Sequence, residues 1–246
     1  MIERVAIIGW GRLARHLAAR LEQLQVEVVS VHTRADANLD RVPEDVDALL
    51  IAVSDAAIAE VAAALPDGPT APLRIHHAGS IPLSHGGFDA TRSGVIWPPQ
   101  TFQLNAQGEA DGIDWAAVPV AVQSENADII ALAKKLSPLA FELSESQRIA
   151  LHLGAVLAGN LTAAWLGQVA KYCKSHDLPF EVLHALVSQS VTSTLRTGSP
   201  PTGPAARGDR DVLTGQLDEL ASTPELQEVY KSLTNAILAH HGHAPL

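Results

Sequence analysis

The chain has a single cysteine, Cys173, among its 246 residues. One thiol excludes an internal disulfide and a cysteine-rich zinc site. Lys171, Tyr172, Lys174 and Ser175 around it read as the tail of a helix, with no base nearby to make the thiol a nucleophile. Aromatic residues make up only 4% of the chain, so its core must be built from Ala, Leu, Val and Ile. Positive charge is also scarce: 17 Lys and Arg stand against 27 Asp and Glu, a formal net charge of -10. Nucleic acid and anionic lipid both require a basic footprint, so neither is an expected partner. A small anionic ligand needs only a local positive pocket and stays open. No unbroken apolar run is long enough to cross a bilayer, and Met1-Ile2-Glu3-Arg4 does not open a signal peptide. The expectation is a cytoplasmic protein. The hydrophobic share of 47% with 18% charged is that of a globular chain. Its length suffices for one large domain or two ordinary ones.

The first half alternates short β-branched runs with helical patterns. Arg4 to Ile8 reads as a strand. Arg12 to Leu24 reads as a helix, with Leu13, Leu17, Leu21 and Leu24 along one stripe. Val26 to Val31 is a second strand. Ala48 to Val53 is a third, apolar throughout, as in a strand buried on both faces. A short Ala-rich helix covers Ile58 to Leu65. Strands follow at Leu73 to His77, Gly94 to Trp97 and Val118 to Gln123, then a helix near Asn126 to Leu136 and a strand at Leu139 to Leu143. Such repetition predicts a doubly wound parallel sheet with right-handed crossovers. After Ser144 no strand pattern returns. Ser146 to Lys174 is one helical stretch, apolar nearly all round, which predicts a central buried helix. Pro179 to Leu195, Asp209 to Leu220 and Pro224 to His240 are further helices, with a Gly/Pro-rich loop from Thr197 to Gly208. The predicted fold class is therefore α/β with an all-α second part, in domains 1–144 and 145–246.

Ile7-Ile8-Gly9-Trp10-Gly11-Arg12-Leu13-Ala14 fits G-x-G-x-x-A. The first glycine permits a tight turn, the second lets backbone approach a pyrophosphate, and the small third residue lets helix and strand pack closely. Phosphates would sit on the free N–H groups of the helix start, at Gly9, Trp10, Gly11, Arg12 and Leu13. The string follows a strand and opens a helix, the context that a dinucleotide site requires. Where an NAD site places an acidic residue, the second strand ends in His32-Thr33-Arg34. A hydroxyl and a guanidinium suit a 2′-phosphate, so NADP(H) is the expected cofactor, on Thr33 and Arg34. Asp36 lies several residues past the strand end. Ser54 borders the cofactor edge or caps the next helix. His76-His77-Ala78-Gly79-Ser80 follows another strand, beyond whose carboxyl end ligands gather, so these residues, Gly79 among them, are expected to face the nicotinamide. Paired histidines without a third ligand in register do not make a metal site. His240-His241-Gly242-His243 reads as a frayed terminus rather than a ligand set.

Three further strings carry a resemblance: Trp97-Pro98-Pro99-Gln100-Thr101-Phe102; Leu151-His152-Leu153-Gly154-Ala155 running on to Gly159-Asn160; and Thr202-Gly203-Pro204-Ala205-Ala206-Arg207-Gly208-Asp209. With the amino-terminal turn, the chain resembles a family of Rossmann-like oxidoreductases with a carboxyl-terminal helical domain. That family is similar to pyrroline-5-carboxylate reductase, ketopantoate reductase and the 6-phosphogluconate dehydrogenase superfamily. The resemblance implies an NADP domain, a helical domain that dimerises, and an active site in the cleft between them. It makes His152 the candidate proton donor, with Asn160 as its polar neighbour. Arg148, His152, Val156 and then Gly159 or Asn160 share one helix face at i+4 steps. Two departures stand out. The family carries a histidine where this chain has Trp97, and often a lysine where it has Arg148. Arginine orients or neutralises an anion but does not give up a proton.

Each of these residues also has a structural reading. His152 either protonates the substrate or joins a buried polar network. Trp97, Gln100, Thr101, Thr202 and Arg207 either contact substrate or serve packing and turns, with Asp209 as a helix cap. The expected activity is NADPH-dependent reduction of a small carbonyl or imine compound carrying a carboxylate. A second expectation is a catalytically inactive NADP(H)-binding sensor or scaffold. A third is the same fold acting on a deazaflavin or sugar-acid substrate. The apolar helix is too poorly covered by the remaining helices of its domain, so a homodimer through the helical domain is expected.

Overall fold

In the computed structural model, residues 1–33, 42–43, 45–65, 68–198 and 202–246 are described. Strands β1 (Arg4–Ile8), β2 (Glu27–His32), β3 (Ala48–Ile51), β4 (Leu73–His76), β5 (Ser93–Trp97), β6 (Val120–Ser124) and β7 (Ala140–Glu142) form one sheet in the order β2-β1-β3-β4-β5-β6-β7. Helices α1 (Arg12–Gln23), α2 (Ile58–Ala64) and α3 (Ala127–Leu136) connect them. The parallel pairing expected from the sequence holds everywhere except between β5 and β6, which run antiparallel. A parallel return needs a crossover, usually a helix. Pro98 and Pro99 instead end β5, and the intervening chain holds only the bridge Leu104↔Ala110 and one 3-10 turn at Trp115–Ala117.

The sheet is buried on both faces. Along β3, Ala48 and Leu50 pack with α1 and α3 residues such as Leu17 and Ile129, while Leu49 and Ile51 pack with Ile58 and Ala62 of α2. This alternation is the period of two that a strand dictates. Asn126 caps α3 through bonds from the Asp128 and Ile129 N–H groups. In register, Ile8, Ile51, His76 and Val95 stand side by side. The turns after β1, β3, β4 and β5 therefore share one edge of the sheet, where ligands of open α/β sheets bind.

After the sheet the chain is helical. Helix α4 (Glu145–Ala155) starts with a capping box between Ser144 and Gln147. It passes into a π-helical segment, Val156–Leu161, and then α5 (Thr162–Ser175). The chain forms two compact units, Met1–Leu161 and Thr162–Leu246. In the second, α6 (His184–Thr197), α7 (Pro204–Arg207), α8 (Arg210–Glu219) and α9 (Pro224–His240) follow α5. Ala205, Leu213 and Leu238 form its small core. Two expectations fall here. The supposed loop from Thr197 to Gly208 contains α7, begun by Pro204 at a position that suits a fixed φ. Asp209 precedes α8 but caps nothing, because its carboxylate is taken by Arg207.

The long apolar helix is not buried. Leu153, Leu157 and Leu161 are 59%, 55% and 52% exposed. Apolar composition on every side shows that a helix wants cover, and the described residues do not provide it. The 31-residue helix Glu145–Ser175 is also long and apolar enough, by length and composition alone, to cross a membrane. It is not an unbroken apolar run, since Arg148, His152, Asn160 and Gln168 interrupt it.

Candidate functional site

The turn after β1 is built for close backbone approach. Gly9 has φ +104, and a Cβ there would lie 2.3 Å from the Ala52 carbonyl oxygen, so only glycine fits. Its N–H donates to the His32 carbonyl at 2.7 Å, tying the turn to β2. Gly11 differs: it precedes α1 in extended conformation, and a Cβ there would meet nothing within 4 Å. No side chain caps α1, and its first turn has no acidic residue. The first N–H groups of the helix, at Arg12 and Leu13, are thus left to a ligand. Ala14 is buried where helix and strand meet. The side chain of Trp10 faces Arg15, whose guanidinium lies 5.2 Å from the indole centroid and also donates to the Gly108 carbonyl. These two residues line a cavity of about 740 Å³ along α1 and β2, with Glu22, Glu27 and Glu109. Thr33 is exposed at the end of β2. Arg34, on which the 2′-phosphate expectation turns, lies outside the described residues, as does Asp36. Ser54 is exposed and precedes a 3-10 turn without capping it.

A second cavity, about 390 Å³, opens beyond β5. Trp97, Gln100, Thr101, His152, Gly159 and Asn160 line it, all within the first unit. The structure therefore brings together five of the residues singled out in sequence as catalytic or substrate-binding, and the π-helical segment contributes one wall of the cavity. π-Segments occur frequently at functional sites. Gln100 Oε1 accepts from the Thr101 N–H at 2.8 Å, which leaves its amide nitrogen as a donor. The rings of His152 and Trp97 lie 5.3 Å apart, tilted by 53°. No described residue hydrogen-bonds the His152 ring nitrogens.

Arg148, one turn before His152, does not line this cavity. It is fully buried, and its guanidinium faces the loop after β4. Nε donates to Gln123 Oε1 at 2.9 Å, Nη1 to the Ala78 carbonyl at 3.1 Å and to that of Gly79, and Nη2 to the Ile81 carbonyl at 2.9 Å. Burial pushes its pKa down, against the raising effect of the Glu145 charge. Gln123 carries no motif in the sequence that would have singled it out. Glu145 completes the anchorage by accepting from the Leu83 N–H.

His76 and His77, expected from the sequence to face the nicotinamide, are buried at the end of β4. His76 Nδ1 accepts from the Ala78 N–H, and its ring lies 5.5 Å from Phe88. His77 Nδ1 meets the Ile96 carbonyl at 2.6 Å. Burial drives both away from the charged form. His76 falls to about 3, with help from the charges of Arg148 and His77. His77 falls to about 4, burial outweighing the hydrogen bond to Ile96. Among the described residues, no group of three His, Cys, Asp or Glu could hold a metal. In the second unit Thr202 is exposed, and Arg207 holds Asp209 at 2.7 and 3.0 Å.

Comparison with known proteins fits this geometry. Residues 119–237 match a family model described only as a domain of unknown function, DUF2520. No curated protein matches the chain. Among solved structures, a candidate NADP oxidoreductase of Bacteroides fragilis shares 28% identity and a TM-score of 0.83, over 97% of this chain and 98% of its own. A Thermotoga maritima protein is 19% identical with a TM-score of 0.65, over 97% and 98%. A semialdehyde dehydrogenase NAD-binding protein of Cupriavidus necator, solved with calcium and NAD, is 16% identical with a TM-score of 0.59, over 94% and 99%. The fold is that of Rossmann-type oxidoreductases along nearly the whole chain.

Proposed function

We propose that the protein is an NADPH-dependent oxidoreductase that reduces the carbonyl or imine group of a small, carboxylate-bearing compound. The Gly9–Gly11 turn carries this reading. It leaves open space at Gly11, an uncapped helix start and no acidic residue in the first turn, which together fit a pyrophosphate. The Bacteroides fragilis relative supports NADP over NAD. Bound NADPH would supply a hydride to the carbonyl or imine carbon. The chain's own residues do the rest. Gly9 shapes the turn, the N–H groups from Trp10 to Leu13 hold the phosphates, and Thr33 and Arg34 hold the 2′-phosphate. Ser54 borders the cofactor, while Gly79 lies against His152 and Trp97. In the cavity His152 gives a proton to the substrate heteroatom, while Asn160, Gln100 and Thr101 orient it through amide and hydroxyl groups. Arg148 is fully buried with four of its five N–H groups bonded, and acts by holding the loop at 78–81.

Titration with NADPH, read by tryptophan fluorescence, tests the first part. Saturation at sub-millimolar NADPH is expected, and no binding of NADPH or NADH refutes the reading. A panel of keto acids and cyclic imines tests the second. His152→Gln should lower reduction by about 10²–10⁴-fold, as expected for loss of a general acid, with NADPH affinity kept. Because Trp97 is not titratable and Arg148 is buried against the loop at 78–81, a second reading remains: a non-catalytic NADP(H)-binding sensor. It is favoured if NADPH binds and no member of the panel is reduced. We further propose a cytoplasmic homodimer joined through the helical half. The support is the exposed apolar side chains, Leu157 and Leu161 on the apolar helix and, separately, Leu186 and Leu195 on α6.

A further inference from the structure

We infer that Gly79, Trp97 and Arg148 form a socket that fixes the His152 imidazole by its carbon edge and leaves both ring nitrogens to the ligand. Sequence alone would place Gly79 on the cofactor, Trp97 on the substrate and Arg148 in the chemistry. The geometry assigns all three to positioning. A Cβ on Gly79 would stand 2.5 Å from His152 Cδ2 and 2.6 and 2.8 Å from Trp97 Cε2 and Cδ2. Both rings therefore close over the Gly79 backbone, and a methyl group there has no room. The glycine is not needed for a left-handed turn, since its φ lies outside that region. It is needed for the space.

The socket has three sides. Trp97, the last residue of β5, supplies the face against which the imidazole tilts. Gly79, in the loop after β4, lies against the Cδ2 edge. Arg148 joins the two pieces of chain. It sits four residues before His152 on α4 and donates to the Ala78, Gly79 and Ile81 carbonyls, so the loop is fastened to the helix one turn from the imidazole it packs against. With Cδ2 packed, the Nδ1–Cε1 edge is turned away from Gly79. No carboxylate or carbonyl among the described residues bonds either nitrogen. Ordinarily a catalytic histidine has its tautomer set by the bond its second nitrogen makes. Here packing fixes the ring's position and the ligand decides where its proton sits. The role of this socket in catalysis rests on the reductase reading above. Its existence does not.

Nuclear magnetic resonance of the His152 ring, together with NADPH titration, tests the inference on Gly79→Ala, Trp97→Leu and Trp97→Phe. Ring current from Trp97 displaces the His152 Cδ2 proton in the native protein. The displacement should collapse in Trp97→Leu, be retained in Trp97→Phe, and change in Gly79→Ala. NADPH dissociation constants should stay within about twofold of the native value, since a positioning residue does not touch the cofactor. If the protein reduces a member of the keto acid and cyclic imine panel, Gly79→Ala should lower kcat by on the order of 10²-fold, the cost of misplacing a catalytic group by about 1 Å, with little change in KM. A tenfold weaker NADPH affinity in Gly79→Ala with the His152 signals unmoved would return Gly79 to the cofactor and overturn the inference. Unmoved His152 signals in Trp97→Leu would overturn it as well. Trp97→Leu and Trp97→Phe decide the matter if Gly79→Ala does not fold. Failure of the native protein to bind NADPH refutes the reductase reading and leaves the resonance measurements to judge the socket.

Discussion

Acid should destabilise this protein through two histidines at one strand end. His76 is fully buried and His77 nearly so, and each has a buried Nε2 without a hydrogen-bond partner among the described residues. His76 Nδ1 accepts from the Ala78 N–H, so its proton is on Nε2; His77 Nδ1 donates to the Ile96 carbonyl, so its Nε2 is bare. In the folded chain they titrate at about 3 and about 4, against 6.5 for an ordinary histidine. Below pH 6.5 the unfolded chain takes up protons that the folded chain refuses. Stability therefore falls as the pH drops from about 6.5 toward 4, and is fully present above that window. Each histidine contributes about 1.4 kcal/mol per pH unit once well below 6.5. From pH 7 to pH 5 the pair loses roughly 4 kcal/mol, a large part of a typical stability of about 5–15 kcal/mol. Asparagine reproduces both Nδ1 bonds, as acceptor at 76 and donor at 77, without titrating. Urea unfolding followed by circular dichroism at pH 7 and pH 5 compares the native protein with His76→Asn/His77→Asn. The native protein should lose roughly 4 kcal/mol more than the double variant over that interval. Equal losses would refute the argument, since carboxylates and the other histidines titrate alike in both.

Other substitutions separate the roles assigned to neighbouring residues. Gly11→Ala meets open space, so unfolding should change by less than about 0.5 kcal/mol, while its methyl group enters the phosphate cradle and weakens NADPH binding at least about tenfold. Gly9→Ala should instead destabilise by at least about 1–3 kcal/mol, from its positive φ alone, before the clash with the Ala52 carbonyl is counted. Arg148→Ala leaves the Ala78, Gly79 and Ile81 carbonyls without their donor and should cost about 3–5 kcal/mol in urea unfolding; Arg148→Lys, lacking the fork, should recover only part of it. Leu157→Gln/Leu161→Gln should turn a dimer into a monomer in sedimentation velocity with circular dichroism unchanged, because both side chains are exposed in the single chain.

What the sequence reveals depends on how far apart the interacting residues lie. Local patterns translate directly. The apolar run at Ala48–Ile51 is a strand buried on both faces, and Leu17 and Leu21 of the α1 stripe are buried. The glycine turn is legible because its requirements, a positive φ at Gly9 and room at Gly11, act over a few residues. The reversal between β5 and β6 is less so, because strand patterns carry no direction and only the lack of a crossover helix decides it. Arg148 shows the limit most sharply. Spacing correctly puts it on α4 one turn from His152, but its donors end on carbonyls about seventy residues earlier in the chain. An arginine near a candidate acid reads as chemistry in sequence and as a rivet in space. The apolar helix fails in the opposite way. Its composition states a demand for cover, and composition has no means of naming the surface that meets it, so Leu157 and Leu161 stand exposed where a core was expected. Trp97, a departure from the pattern that the resemblance implies, packs against the His152 ring in this structure. Its indole occupies the place against which His152 rests, so exchanging a titratable ring for an inert one leaves a single titratable group on that cavity wall.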